Sequence, residues 1–201
     1  MTDAPALHAA TTEHPIRLVN HDDLKRNRLT VFFRMFLAIP HAVWWLLWFI
    51  ALSVVSWIFW IIALVTGRLP DGVHTFVSRF TRYSTHLYAY TSLFADPFPG
   101  FLGEAGSYPV DLEIDGPQQQ SRLGILFRML LAIPAFLLAY VLRMLISVLA
   151  FVGWFYALAT GRMSEGIEGL GLFALRFEAQ TLGYALLITG KYPSLGGAPA
   201  A

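Results

Sequence analysis

The chain contains the same unit of 72 residues twice. Residues 28–99 return as residues 122–193 at a constant shift of 94 and without a gap, so that RLTVFFRMFLAIP becomes RLGILFRMLLAIP. Of the 72 aligned pairs, 22 are identical, whereas a chain of this composition gives about five by chance. Two copies of one sequence should adopt one fold and bury their apolar surfaces against each other. We therefore predict two tandem repeats.

The composition is typical of a membrane protein. Hydrophobic residues make up 56% of the chain and charged residues 13%, with a mean hydropathy of +0.57, against about 45–50% and about 25% in soluble domains. Because the apolar residues come in runs rather than stripes, a soluble helical protein with a large core is a poor alternative. The net charge of +1 gives no indication of a nucleic-acid partner. The absence of cysteine excludes disulfides and thiolate chemistry.

Each repeat is predicted to contain three helical pieces. A short first helix ends at a proline, Pro40 or Pro134, which should kink or break it. A long apolar run follows, and about 25 residues at 1.5 Å each extend roughly 37 Å, enough to cross a hydrocarbon core of about 30 Å. The third piece has amphipathic spacing. The predicted fold class is therefore an all-α membrane protein. The six pieces are 29–39, 41–66 and 73–94 in the first repeat, and 123–133, 135–160 and 167–189 in the second.

Outside the repeats the sequence predicts tails and a linker. Residues 1–27 are mostly polar and end in a basic collar, which indicates a flexible N-terminal tail. Residues 100–121 are acidic and rich in Pro and Gly, as in a linker. Within them, Val110–Ile114 alternates apolar and acidic residues as a short strand does. Residues 194–201 are predicted to be disordered.

The third piece of each repeat decides the predicted topology. Its polar residues, among them Arg82 and Arg176, leave two possibilities: the helix crosses the membrane with its polar face turned inward, or it lies in the interface. If it crosses, each repeat has two spans and both repeats have the same orientation. If it does not, each repeat has one span and the two repeats are inverted, as in many transporters.

The distribution of basic residues favours two crossings per repeat. In that arrangement the N-terminal segment, the linker and the tail share one side of the membrane and hold eight basic residues, against two in the opposite turns. Because cytoplasmic loops are enriched in Lys and Arg, we predict a multi-pass protein of the cell membrane with four spans and both termini in the cytoplasm. A shallow hairpin protein with cytoplasmic termini is the alternative. The eight residues are Arg17, Lys25, Arg26, Arg28, Arg34, Arg122, Arg128 and Lys191, and the two are Arg68 and Arg162.

Short motifs in the first repeat carry a resemblance to a known family. The strings RLTVFFRMFLAIPH and TGRLPDG, a helix with Arg82 and Tyr90, and the closing DPFPGF resemble an uncharacterised prokaryotic membrane family, a domain of unknown function often found in tandem copies with a terminal D-x-Y-P-P-F. The second copy closes with GKYPSL, so the acid is absent there. The resemblance covers nearly all of 28–101 and, more loosely, 122–195. It implies an integral membrane location and no particular activity.

Arginines are the candidate site residues. An arginine at membrane depth costs several kcal/mol unless it is paired, hydrated or brought to the interface. Each should therefore contact a lipid headgroup or a polar group of the protein. Arg82 and Arg176 occupy the same repeat position, which indicates a shared role in anchoring or packing. The seven candidates are Arg34, Arg68, Arg82, Arg128, Arg143, Arg162 and Arg176.

The second repeat carries a charge that the first repeat lacks. Arg143 stands within the long apolar run, where the first repeat has Phe49. Glu168 and Glu178 are its possible partners. This difference marks either a packing solution or a polar site, and both interpretations fit the sequence.

Patterns typical of catalysis and metal binding are scarce. The six histidines form no H-E-x-x-H or similarly compact ligand pattern. The chain has no Gly-rich phosphate loop and no G-x-S-x-G motif. We therefore predict that the protein is not an enzyme and that it has no catalytic residue, metal site or cofactor.

Three functional hypotheses from different classes remain. The favoured one is a non-catalytic integral membrane protein that acts as an accessory, scaffold or lipid-organising subunit. Its partners would be membrane lipids and a membrane protein or a second copy of the chain, without nucleic acid. The second is a small transporter or channel built from two repeats. The third is a membrane-bound lipid enzyme that uses His74 or His86 with an acid, and the absence of both histidines from the second repeat counts against it.

Overall fold

A computed structural model describes residues 14–196 as a mostly helical protein. Within that range it contains six helices and two short strands. The predicted helical repeats are confirmed, and so is the strand predicted at Val110–Ile114. The fold is mostly helical, as predicted, but it is not all-α, because the two strands pair in an antiparallel sheet. In chain order the elements are β1 (Ile16–Asn20), α1 (Arg28–Leu37), α2 (Ile39–Thr66), α3 (Asp71–Thr91), β2 (Val110–Ile114), α4 (Arg122–Leu126), α5 (Arg128–Thr160) and α6 (Glu165–Ala185).

The structural repeat is longer than the sequence repeat. β1 and β2 lie at the same shift of 94 as the helices, and they pair symmetrically about Leu18 and Leu112. This sheet corrects the flexible tail predicted over 1–27, because Leu18 is only 1% exposed and its burial offsets the entropy of ordering a short strand. The remaining parts of the predicted tails, 1–13 and 197–201, lie outside the described residues.

The prolines of the two repeats have different outcomes. α1 ends at Leu37, and Pro40 lies in the first turn of α2, where a proline sacrifices no helical hydrogen bond. In the second repeat the break comes earlier, at Phe127, and Pro134 lies inside the continuous helix α5. The helix predicted over 123–133 is therefore divided between α4 and α5. The predicted break is confirmed at Pro40, whereas α5 continues through Pro134 with the loss of one internal hydrogen bond.

The two repeats bind each other reciprocally. The indole nitrogen of Trp60 in α2 donates to the carbonyl of Ile125 in α4 at 3.0 Å. The indole nitrogen of Trp154 in α5 donates to the carbonyl of Val31 in α1 at 3.1 Å. Trp154 is the equivalent of Trp60 at the shift of 94, and Ile125 is the equivalent of Val31. Each repeat therefore uses the same groups to contact the other, as in a dimer with a two-fold axis.

Three layers are stacked along this pseudo-two-fold axis. The axis passes through the centre of the sheet at right angles to it, because only that direction relates two antiparallel strands. The middle layer consists of α3 and α6, which pack on each other and on β2 and β1, respectively. The third layer consists of α2 and α5, which pack on α3 and α6. α1 contacts α5, and α4 contacts α2, at the two ends of this third layer.

The two long helices lie across the axis and antiparallel to each other. A two-fold rotation leaves the height along its axis unchanged, so Trp60 and Trp154 have equal heights, and so do Val31 and Ile125. Because Trp154 is hydrogen-bonded to Val31, Val31 and Trp60 differ in height by no more than about one side-chain length. These two residues lie near opposite ends of the α1–α2 pair. That pair is therefore nearly perpendicular to the axis.

The same contacts contradict the predicted four crossings. That arrangement places the turns after α2 and α5 on the opposite side of the membrane from the N-terminal segment and the linker. In the structure, the amide of Gln120 in the linker donates to the carbonyl of Gly67 at 2.8 Å. Likewise, the amide of Arg26 donates to the carbonyl of Gly161 at 2.9 Å. The turns after α2 and α5 therefore lie next to the linker and the N-terminal segment, whereas four crossings would put a membrane between them. The eight-to-two asymmetry of basic residues thus does not divide the chain between two sides of a membrane.

Within residues 14–196, α2 and α5 are the two helices that are long and apolar enough to cross a membrane. Each buries only a narrow stripe, which in α2 consists of His41, Leu52 and Ala63. By contrast, more than half of the residues of α3 and of α6 are buried. The third helices therefore form the core of the protein, and most of their polar residues face its interior. A wide apolar surface remains on the outer side of the long helices.

Candidate functional site

Arg34 is held inside the protein at the end of α3. Its guanidinium donates to the carbonyls of Tyr90 at 2.7 Å and Ala95 at 2.9 Å, and it pairs with Asp96 at 2.7 Å. It also lies over the Tyr90 ring, 4.5 Å from the centroid. A cation at a helix C-terminus satisfies carbonyls that have no partner within the helix. Arg34 therefore caps α3.

Arg128 has the equivalent role in the second repeat. It lies over the Tyr184 ring at 4.0 Å and donates to the carbonyl of Thr189 at 3.2 Å. Where the first repeat has Asp96, the second has Gly190, and Arg128 is hydrogen-bonded to the side chain of Gln120 instead. The sequence pattern indicates the retained arginine, and the structure identifies its role as internal.

Arg82 and Arg176 are also internal. Arg82 donates from Nε and Nη2 to the carbonyl of Leu112, each at 3.2 Å, and lies 3.3 Å from Asp111. Arg176 donates to the carbonyl of Leu195 at 3.3 Å. Their side chains hold neighbouring chain segments against α3 and α6, so the shared position corresponds to a shared packing role.

Arg68 and Arg162 are exposed near the two ends of the long-helix layer. Arg162 forms a backbone bridge with Lys25, and Arg28 donates to the carbonyl of Ala159 at 2.9 Å. These contacts gather basic residues around the end of α5. Contact of Arg68 and Arg162 with lipid headgroups stays a prediction.

His86 has an acidic partner, but the pair is sealed inside the protein. Its Nε2 lies 2.7 Å from Asp111 Oδ1, and its ring stacks on Tyr108 at 4.9 Å. Burial by itself raises the pKa of Asp111, but the hydrogen bond and charge of His86 and two backbone amides outweigh it and hold that pKa below its usual range. Because His86 is 0% exposed, the pair has no access to substrate. His74 lies apart from it, in a polar cleft beside Ser78.

A groove of about 400 Å³ lies between α2 and α5, with α3 and α6 as its floor. Equivalent positions of both repeats line it, so it lies at the pseudo-two-fold axis. Its walls are mostly apolar, and a few hydroxyl and charged groups lie among them. The lining includes Trp45, Phe49, Ser84, Tyr88, Ala139, Arg143 and Glu178.

The first repeat fills its half of the groove with aromatic rings. Trp45 stacks on Phe49 with ring centroids 5.2 Å apart. Its indole nitrogen donates to Ser84 Oγ at 3.0 Å. The Trp45 indole nitrogen is therefore satisfied within this half, and the two rings occupy its volume.

The second repeat leaves its half of the groove open and places an ion pair there. The three equivalents of Trp45, Phe49 and Ser84 are Ala139, Arg143 and Glu178. The small Ala139 vacates the volume of an indole ring, and Arg143 is hydrogen-bonded to Glu178. The sequence indicated both possible partners of Arg143, and the structure selects Glu178. Glu168 instead lies 3.7 Å from Arg26.

The ion pair lies at the boundary between the groove and the core. The guanidinium of Arg143 is 4.0 Å from the centroid of the Tyr88 ring, and its side chain is 38% exposed. Glu178 is buried, and its Oε1 has no hydrogen-bond partner in the described part of the chain. Burial raises the pKa of Glu178 to about 7, although the charge and hydrogen bond of Arg143 oppose this shift. A buried acid next to a partly exposed cation makes this end of the groove a candidate binding site.

Sequence reasoning identified Arg143 but missed Ala139 and Tyr88. A comparison of the repeats position by position would have found the replacement of Trp45 by Ala139, because it removes the largest side chain. The stacking of Tyr88 on Arg143 had no sequence signal, since the two lie on different helices of different repeats. Across residues 14–196, no group of three or more His, Cys, Asp or Glu residues is arranged to hold a metal ion.

The sequence profile of the family described as "Domain of unknown function (DUF4389)" matches the chain twice, at residues 28–102 and 122–195, and the chain belongs to that family. The two matches confirm the tandem repeat. No curated protein and no solved structure shows significant similarity to the chain.

Proposed function

We propose that this family member is a non-catalytic membrane protein, embedded through its layer of long helices, that organises lipid or supports a membrane partner. The observation that carries this proposal is the outer face of α2 and α5. It exposes large apolar side chains along its whole length, for example Trp57 at 71% and Phe151 at 67%. Exposed apolar surfaces of this extent are found where a protein contacts a membrane or another protein.

The position of the sheet favours long helices that lie in the plane of the membrane. If α2 and α5 crossed the bilayer, the axis would lie in the membrane plane and the sheet would be at mid-depth. Its outer face carries the ion pairs of Arg17 with Glu113 and Asp115, at 3.2 and 3.0 Å. The Glu113 side chain is 58% exposed. Exposed charges in hydrocarbon cost several kcal/mol each, so this orientation is strongly disfavoured.

The orientation with the axis along the membrane normal avoids this cost. A helix layer about 10 Å thick fits within one leaflet, whose hydrocarbon is about 15 Å deep. The α3–α6 layer then lies near the headgroups, and the sheet lies in water. Exposed Arg68 and Arg162, at the ends of the layer, are placed to meet lipid phosphates. An in-plane layer offers no path across the bilayer, which disfavours the transporter or channel hypothesis.

Single cysteines test this placement cleanly because the native chain has none. Gly72 and Gly166 are equivalent positions at the shift of 94, and a side chain at either one meets open space. Ser107 is exposed in the linker. Variants Gly72→Cys, Gly166→Cys and Ser107→Cys in sealed vesicles would be labelled with a membrane-impermeant maleimide from one side at a time.

The three arrangements give three labelling patterns. In-plane helices predict that all three positions react from the same side. Inverted single spans predict that positions 72 and 166 react from opposite sides. Four spans predict that positions 72 and 166 react together and position 107 from the other side. Either of the last two patterns would refute the proposed placement.

A further inference from the structure

We infer that the groove between α2 and α5 binds one fatty acid, with its carboxylate at Arg143 and Glu178 and its chain along the apolar walls. This inference deepens the proposed lipid-organising function and rests on it for the supply of ligand from the bilayer. The site is present once per chain, because the first repeat fills the equivalent volume with Trp45 and Phe49.

The shape of the groove fits a single chain. A volume of about 400 Å³ lies within the range of small-molecule sites. The groove opens between α2 and α5, on the side away from its floor of α3 and α6. In the in-plane placement this opening faces the bilayer core, so a ligand can enter from the acyl region of the leaflet. Its walls include Phe136 and Leu182, which offer an apolar surface to methylene groups.

The polar end of the groove fits a carboxylate. Arg143 donates to Glu178 through Nη2, and its partly exposed guanidinium is a planar fork suited to binding a second carboxylate. A fatty acid in a bilayer enters in its protonated form. If its proton passes to the buried Glu178, the ligand becomes a carboxylate paired with Arg143, and the neutral Glu178 donates a hydrogen bond. No net charge is buried, which a low-dielectric site requires.

A two-chain phospholipid fits less well. Arg143 lies near the middle of α5, away from the exposed arginines at the ends of the layer. A headgroup drawn there would leave the aqueous interface. The phosphodiester of a phospholipid carries one negative charge, but the phosphomonoester of lysophosphatidic acid carries up to two. A dianion would leave one charge uncompensated next to the single guanidinium of Arg143. A fatty acid therefore suits this end of the groove better than a lysophospholipid or a phospholipid.

Palmitate binding to the full chain, purified in detergent and stripped of lipid, tests the inference. We expect one palmitate per chain, and at least tenfold weaker binding of hexadecanol, which has the same chain without the carboxylate. Lysophosphatidic acid is the comparison for a phosphate head. Equal binding of hexadecanol and palmitate, or tighter binding of lysophosphatidic acid, would overturn the assignment of a carboxylate site.

Two variants use the first repeat as their template. Ala139→Trp fills the volume as Trp45 does, and Arg143→Phe with Glu178→Ser recreates the first repeat's pair without leaving an unpaired charge. Each should reduce palmitate affinity at least tenfold while the protein stays monodisperse with native circular dichroism. If one variant does not fold, the other still tests the site. Unchanged affinity in a folded variant refutes the site.

The binding assay and the cysteine labelling fail independently. The assay is done in detergent and does not depend on membrane orientation, whereas the labelling does not depend on any ligand. If the protein binds palmitate but the labelling shows that its helices cross the bilayer, the fatty-acid site stands and the in-plane placement is refuted. If the labelling shows in-plane helices but palmitate does not bind, the placement stands and the fatty-acid site is refuted.

Discussion

Replacing Arg34 by methionine should be among the most destabilising single changes in this protein. Arg34 is 2% exposed, and its guanidinium makes two hydrogen bonds to main-chain carbonyls, at 2.7 and 2.9 Å, and an ion pair with Asp96. Methionine retains the length and the apolar contacts but supplies no donor. The carbonyls of Tyr90 and Ala95 would then lose their charged partner inside the protein.

The magnitude follows from these contacts. A hydrogen bond to a charged group contributes about 1.5–3 kcal/mol, and a cation over an aromatic ring about 0.5–2 kcal/mol. Asp96 is 28% exposed at its side chain, so water can replace its partner at small cost. Removing one member of a buried polar cluster costs about 3–5 kcal/mol. We therefore expect Arg34→Met to lower the free energy of unfolding by about 3–5 kcal/mol.

Reversible unfolding in mixed micelles, followed by circular dichroism, measures this change. The matched control is Arg68→Met, which removes an exposed arginine and should change the free energy of unfolding by no more than about 0.5 kcal/mol. Arg34→Lys should recover part of the loss, since lysine keeps the charge but not the planar fork. Equal stability of Arg34→Met and Arg68→Met would show that the helix cap contributes nothing.

Two further predictions test the core and its titration. In Gly171→Ala, the added Cβ would lie 1.9 Å from Phe94 Cζ, so we expect a loss of about 1–3 kcal/mol in the same unfolding assay. In Gly169→Ala, on the same helix, the added Cβ meets open space, so the free energy of unfolding should instead rise by about 0.5–1 kcal/mol. A loss of stability in both variants would argue against the Phe94 contact. Because the pKa of Glu178 rises from 4.5 to about 7 in the folded state, the folded protein binds more protons between these values, and its stability should fall as pH rises from about 4.5 to 7. Glu178→Gln should flatten that part of the pH profile, and an unchanged profile would contradict the raised pKa.

Much of the candidate site could not be predicted from the sequence, because the residues that contact one another there belong to different repeats. The substitution of Phe49 by Arg143 is visible in the aligned copies, and so is the acid at Glu178. That the guanidinium also stacks on Tyr88 depends on how α3 of one repeat packs beside α5 of the other. The sequence left two kinds of partner open for the arginines of the third helices, lipid headgroups and polar groups of the protein. Arg82 contacts the protein, because it donates to the carbonyl of Leu112 in β2, a strand that lies outside the aligned 28–99 unit.

Local signals in the sequence determined the elements of this protein, and contacts between distant segments decided their arrangement. The apolar run that forms α2, the amphipathic spacing of α3 and the alternation at Val110–Ile114 each lie within a few turns of chain. By contrast, β1 pairs with β2 across a long stretch of chain, with Leu18 opposite Leu112. The hydrogen bonds of Trp60 and Trp154 to the other repeat join residues 65 and 123 positions apart. Charge counting along the chain assumed that α3 returns across a membrane, whereas the packing of α3 against α6 and the sheet makes it the core. Propensity and hydropathy act over neighbouring residues, while the burial of α3 depends on surfaces that exist only after both repeats have folded together.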